Sequence, residues 1–208
     1  MEIVGQRLTL RYPIAADAPA LLAHGSDPEV TRFFSWGPYR ALDEPLAYID
    51  ALAGERRRGE RLDLAIVDHH HGPIGIVGLS ELAVRDRRAV VGTWLGRAHW
   101  GTGANRAAKA LIAHLGFAVL GLERLGAYAD LDNPRSQAAL TAIGFRREGL
   151  LRRWHRHADQ VHDVLVYSWL REEWAGSALA AAPARVLGDP PAAFAVAASF
   201  TPLAQPTA

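Results

Sequence analysis

Hydrophobic and polar positions repeat with two periods along this chain, and each change of period marks an element. Leu8, Leu10 and Tyr12 alternate with polar neighbours, which predicts a half-buried strand over residues 6–12. Residues 18–25 predict a short helix with Asp17 as its cap and Gly25 as its stop. Residues 27–34 add a helical turn with Pro28 at its first position. Leu46, Ile49, Leu52 and Ala53 share one face of a helix over residues 42–58, whose last three arginines suit the negative pole of the helix dipole. Residues 62–67 and 73–82 then predict two strands around a His-His-His-Gly turn. A strand at residues 90–95, a helix over 103–119 and a short strand at 122–129 follow. Asn133 caps a helix over residues 134–143, with Pro134 first and Gly144 as its stop. Residues 146–154 and 161–170 read as a closing antiparallel pair.

One junction among these carries chemistry. In VGTWLGRAHWGTGAN, residues 91–105, a β-forming run enters a glycine turn that opens directly into a helix. The first N–H groups of a helix lack intrahelical partners, and the dipole favours anions there. Gly101 and Gly103 permit the positive φ such a turn needs and leave no Cβ in a ligand's way. The turn lacks the Gly-Lys-Ser/Thr ending of a nucleotide-triphosphate loop, and Arg106 stands where a dinucleotide fingerprint needs its third glycine.

Composition narrows the class. The 208 residues suit one domain, half are hydrophobic, and the formal net charge is +1, which gives no electrostatic case for nucleic acid. The chain has no cysteine, so disulfides, thiolate metal sites and a cysteine nucleophile are excluded. No apolar run is long enough for a membrane span, and the expected location is cytoplasmic. The triplet His69, His70, His71 lies in an extended turn where neighbours point apart, so no metal is expected. From residue 175 the chain turns Ala- and Pro-rich, which predicts a domain over residues 1–174 and a tail over 175–208. That tail is expected to be disordered or to lie on the surface through Phe194 and Phe200.

Trp100, Gly103 and Asn105 fall on the fixed positions of a Gln/Arg-x-x-Gly-x-Gly/Ala loop, with Asn105 departing from the usual small residue. Asn133, Ser136 and Gly144-Phe145, then Glu148-Gly149, reproduce a second motif in the right order. Together these resemble the GNAT N-acetyltransferase superfamily, most of all its RimJ/RimL type, over roughly residues 6–174. The resemblance implies an α+β fold of three layers, with a mixed, mostly antiparallel and splayed sheet flanked by helices. It implies acetyl-CoA as co-substrate, bound by Trp94 and Leu95 on the strand edge, by Trp100, Gly101, Thr102, Gly103, Ala104, Asn105 and Arg106 in the loop, and by Asn133.

The implied reaction is direct attack of an amine on the thioester. Many family members use a Tyr near the end of the helix before Gly-Phe as the acid; Leu140 stands there, and Ser136 is the replacement candidate. Candidate bases are His155, Glu81 and Asp163, with His157 and His162 close by in sequence. Trp36 with its aromatic neighbours Phe33, Phe34 and Tyr39 is either a wall of the acceptor cleft or a cover for the core edge. Trp36, Glu81, His162 and Asp163 are the expected acceptor contacts. An α-amine, with a pKa of about 7.8, needs less help to deprotonate than a lysine amine near ~10.4, which ranks a peptide or protein N-terminus first. A small-molecule amine ranks second and a non-catalytic acyl-CoA-binding module third. A deep, acidic acceptor pocket would favour the small amine, and an open cleft the peptide. Homodimerisation, common in the family, is carried as an expectation.

Overall fold

A computed structural model describes residues 1–157 and 159–195. Nine strands form one sheet: β1 (Glu2–Val4), β2 (Leu8–Arg11), β3 (Arg61–Asp68), β4 (Gly72–Ala83), β5 (Arg88–Leu95), β6 (Arg124–Asp130), β7 (Arg146–His157), β8 (Gln160–Leu170) and β9 (Arg185–Leu187). Their order is β7-β8-β6-β5-β4-β3-β2-β1-β9. Every pair is antiparallel except β5 with β6. The helices are α1 (Ala18–Gly25), α2 (Pro28–Thr31), α3 (Asp43–Arg58), α4 (Ala104–His114), α5 (Pro134–Ala142) and α6 (Arg171–Ala175).

The alternation of side chains along the central strands makes two cores. Leu64, Ile66 and Val77 face the core that contains Ala108, Leu111 and Ile112 of α4. Their neighbours Ala65 and Ile76 face the opposite way, toward Leu21 of α1, Val30 of α2 and Trp94. The result is the expected three-layer α+β architecture.

Asp17 departs from its expected role. Its side chain accepts two bonds from Arg11 at 2.7 Å and one from the Ile14 amide at 2.9 Å, and it makes no cap bond to α1. The Ala- and Pro-rich stretch also enters the fold. β9 extends the sheet beyond β1, and Phe194 is fully buried in the α4-side core. Phe200 lies outside the described residues.

Two features shape the middle of the sheet. Pairing between β5 and β6 covers Arg88↔Arg124, Ala89↔Leu125 and Val90↔Gly126, then stops. Beyond that point β5 continues on β4 and β6 continues on β8, so the two strands diverge into a wedge. In β4 a register shift between Ser80 and Ala83 surrounds Glu81, whose φ is +51°. Such a bulge re-aims a side chain that regular alternation would place elsewhere.

Candidate active site

The loop before α4 gives the wedge one end. Gly101 and Gly103 have φ of +72° and +84°, in the left-handed region that favours glycine. A Cβ added at either position would meet nothing within 4 Å, so the space in front of the loop is open. Thr102 is fixed from both sides: its hydroxyl donates to the His99 carbonyl at 2.9 Å, and its own carbonyl accepts from Arg7 at 2.8 Å. Arg7 is held in turn by the buried Asp68 at 2.9 Å. Burial pushes the Asp68 carboxyl up, but hydrogen bonds from His70, His71 and Arg7 outweigh it and hold the group well below the usual carboxylate range. The histidine turn therefore serves as a structural tether through His70 and His71.

A cavity of about 380 Å³ lies between this loop, the β5 edge and α5. Its lining includes Trp94, Leu95, Trp100, Gly101, Gly103, Asn105, Arg106 and Asn133 of the expected donor contacts. Ala104 is fully buried behind the loop, and neither it nor Thr102 lines the cavity. The Trp100 indole donates to the Leu95 carbonyl at 2.9 Å, which ties the loop to the strand edge. Arg106 donates to the Ala142 carbonyl at 3.2 Å, linking α4 to the end of α5. Arg135 stacks over the Trp100 ring at 3.2 Å and adds a second cation to the lining.

A larger cavity of about 700 Å³ continues through the wedge. Trp36 stands in its wall against Trp94, with ring centroids 5.3 Å apart, and against Tyr39 at 5.0 Å. Glu81 reaches it from the bulge and accepts from the Tyr128 hydroxyl at 3.1 Å. His155 reaches it from β7, with its ring 6.0 Å from that of Tyr128. Asp63 and Asp130 add carboxylates. Burial pushes the Asp63 carboxyl up, although the Tyr48 hydroxyl bonds to it at 2.6 Å.

Thr93, Trp94, Lys109, Asn133, Ser136 and Leu140 line both cavities, so the two meet there. The Asn133 side chain accepts from the Ser136 amide at 3.1 Å, the expected cap of α5. This cap fixes the helix end that presents Ser136 to the junction.

His162 and Asp163 fall outside both linings. The His162 Nδ1 lies 3.2 Å from Asp130 Oδ2, and its ring stacks on that of His157 at 4.6 Å. Asp163 accepts from the Arg153 amide at 2.7 Å and pins the irregular part of the β7–β8 pairing, where Arg153 has φ of +53°. His162 and Asp163, expected as acceptor contacts, thus line neither cavity: His162 lies against Asp130 and His157, and Asp163 against the Arg153 amide. Among the described residues, Asp130, His157 and His162 bring three potential ligand atoms within 4.8 Å of one another. Of these groups, Asp130 Oδ2 and His157 Nδ1 are buried without a hydrogen-bond partner.

Sequence reasoning missed Lys109 and Arg135. Lys109 occupies a helix that is buried on nearly every side, a property its amphipathic pattern does not reveal. It is 5% exposed, and its ammonium bonds to the Thr93 hydroxyl. Burial alone lowers its pKa to about 7.

A parallel pair that opens into a wedge, with an anion-ready helix end at its mouth, is the arrangement expected from the resemblance to acyl-CoA-dependent transferases. Residues 7–146 match the family model described as an acetyltransferase (GNAT) domain. The uncharacterized N-acetyltransferase p20 of Bacillus licheniformis is 34% identical over 173 residues, covering 82% of this chain and 97% of that one. YdaF of Bacillus subtilis (strain 168), whose name carries a ribosomal N-acetyltransferase assignment, is 32% identical over 102 residues, covering 49% and 56%. The solved structure of the microcin C7 self-immunity acetyltransferase MccE, in complex with acetyl-CoA and AMP, aligns with a TM-score of 0.72 at 21% identity, covering 79% and 93%. The chain belongs to the GNAT family of acetyltransferases. It is an acetyl-CoA-dependent N-acetyltransferase. Among the described residues, no helix is long and apolar enough to cross a membrane.

Proposed function

We propose that this chain acetylates a small cationic amine that carries an apolar or aromatic body. The observation that supports this reading is the lining of the larger cavity, where Asp63, Glu81 and Asp130 share a space with Trp36, Tyr39 and Tyr128. Carboxylates favour an ammonium, and aromatic faces attract both its charge and its apolar carrier. This lining moves the small amine ahead of the peptide N-terminus that the sequence ranks first.

The residues of the smaller cavity fit acetyl-CoA. The α4 amides around Gly103, Asn105 and Arg106 suit the pyrophosphate, with the Arg106 and Arg135 side chains as supporting cations and the open space at Gly101 and Gly103 giving room. The β5 edge at residues 93–95 suits the amide groups of the pantetheine arm, with Trp94 and Leu95 beside it and Trp100 holding the edge in place. Thr102 and Ala104 act through the shape of the loop, and Asn133 through its cap on α5. Bound acetyl-CoA supplies the acetyl thioester, which the amine attacks directly without an acyl-enzyme.

At the junction Ser136 offers a hydroxyl as a hydrogen-bond donor. On the acceptor side His155 and Glu81 are the groups that take the proton from the incoming ammonium, directly or through water. Holding both substrates in one cleft converts a bimolecular encounter into an oriented one.

A second reading keeps the chemistry and changes the acceptor to a protein N-terminal α-amine. The name of YdaF favours it, as does the modest basicity of such an amine. Incubation with acetyl-CoA and a panel of small amines and short peptides, followed by product masses, separates the two. Acetylated small amines support the first reading, and acetylation confined to peptide N-termini supports the second. Acetyl-CoA binding without any product contradicts both.

A further inference from the structure

We propose that Lys109 faces the CoA sulfur and delivers the proton that the departing thiolate takes up. The inference rests on the reading of the two cavities as donor and acceptor halves of one cleft. If acetyl-CoA fills one half and the amine the other, the reacting atoms meet where the halves join. The polar side chains lining both are Thr93, Lys109, Asn133 and Ser136. Hydroxyl and amide groups can donate a hydrogen bond there but do not release a proton near neutrality; an ammonium can. Leu140, which also lines both halves, is apolar.

The geometry suits the task. Lys109 rises from α4, beneath the wedge, and its Nζ is positioned by Thr93 on the β5 edge. An ammonium carries three protons, so one on Thr93 leaves two for the cavity. The groups expected to act as bases, Glu81 and His155, line the acceptor half and not the donor half. Lys109 thus stands apart from the side on which the amine loses its proton.

In the step itself the amine nitrogen lone pair forms the C–N bond and the C–S bond breaks, its electron pair passing to sulfur. The sulfur gains a proton from Lys109, and the proton lost by the amine passes to the acceptor-side base or to water. Lys109 is reprotonated from solvent when the thiol leaves. The charged and titratable groups around it are Asp63, Glu81, Asp130 and His155 on the acceptor side, with Tyr39, Tyr48, Tyr128, Glu44 and Arg61 further round that wall. On the donor side they are His99, Arg106 and Arg135. Burial, and none of these charges, is what holds the Lys109 amine in the neutral range, where it gives up and regains a proton readily.

Free CoA is the probe that tests this without an acceptor. The ultraviolet absorbance of its thiolate would be followed from about pH 6 to about pH 10, free and bound to the full chain. With the unaltered protein the bound thiol should ionise about one pH unit or more below free CoA, because thiolate and Lys109 ammonium, once adjacent, hold each other in the charged form. Lys109→Met should bring ionisation back to the free value or above it, and Lys109→Arg should keep it low. Lys109→Gln, which retains a hydrogen-bonding group, should behave as Met does and serves if Met does not fold. Bound thiol that ionises alike in the unaltered protein and the neutral variants overturns the role of Lys109. Failure of the unaltered protein to bind CoA overturns the reading of the cleft itself.

Discussion

The Tyr128 hydroxyl donates to Glu81 at 3.1 Å, so a residue of β6 meets a residue of β4 across β5, which lies between them in the sheet. The contact closes one wall of the acceptor cavity and leaves the second oxygen of Glu81 for other partners. Burial and the nearby carboxylate both push the Tyr128 hydroxyl pKa up, so it remains a donor at neutral pH. Glu81→Gln should therefore lower kcat/KM for the acceptor by about 10²-fold through loss of a base and an ammonium partner. Acetyl-CoA affinity, measured by calorimetry, should stay unchanged. Equal losses for both substrates would place the effect in the sheet and not in the cavity.

Gly103 holds φ of +84° at the entrance to α4, and the space in front of it is open. Gly103→Glu should abolish measurable acetyl-CoA binding, because it strains the turn and sets a carboxylate against the pyrophosphate. Unchanged affinity in calorimetry would sink the loop assignment.

Ser136 sits at the junction by virtue of the Asn133 cap. Ser136→Ala should reduce kcat by about 10-fold, the effect of one hydrogen bond of roughly 1.4 kcal/mol, with acetyl-CoA affinity little altered. A variant with full turnover would remove the hydroxyl from the chemistry.

Lys109 makes stability depend on pH in a defined direction. Its amine has a pKa of about 7 in the fold against an ordinary 10.5. Between those values the unfolded chain holds a proton that the folded chain has lost, so stability rises with pH. The cost of burying the amine is therefore greatest below about 7, shrinks by about tenfold per pH unit across that window and is gone above 10.5. Lys109→Met should remove this rise and raise the melting temperature at neutral pH, since an apolar chain of similar length no longer has a charge to desolvate. Denaturant titrations of both proteins at pH values near the two ends of the window would show it. Parallel pH profiles for both proteins would contradict the buried-amine account.

Much of the sheet and the whole loop-to-helix junction were legible because they depend on local signals. Gly101 and Gly103 mark positive φ, Asn133 and Pro134 mark a helix start, and alternation marks β2 to β8. The three-residue strands β1 and β9 are too short to show a period, and β9 sits in a stretch whose Ala and Pro content reads as tail. The wedge leaves no local signal: it arises where β5 and β6 stop pairing, which depends on the competing partner of each strand. Side-chain direction is not legible where ladders are irregular. The shift between Leu151 and His155 changes which residues of β7 face the cavity, and Asp163 is taken up by the Arg153 amide at that same irregularity. Lys109 escaped because a lysine in a helix otherwise reads as a solvated face.

The claim that matters most is that one continuous cleft holds both substrates at once and that transfer between them is direct. Initial rates of CoA thiol release, measured over a grid of acetyl-CoA and the acetylated amine of the panel, test it most directly. Intersecting double-reciprocal lines, with no acetyl adduct on protein incubated with acetyl-CoA alone, are the predicted result. Parallel lines together with an acetylated protein would contradict it, since the acetyl group would then leave CoA before the amine arrives.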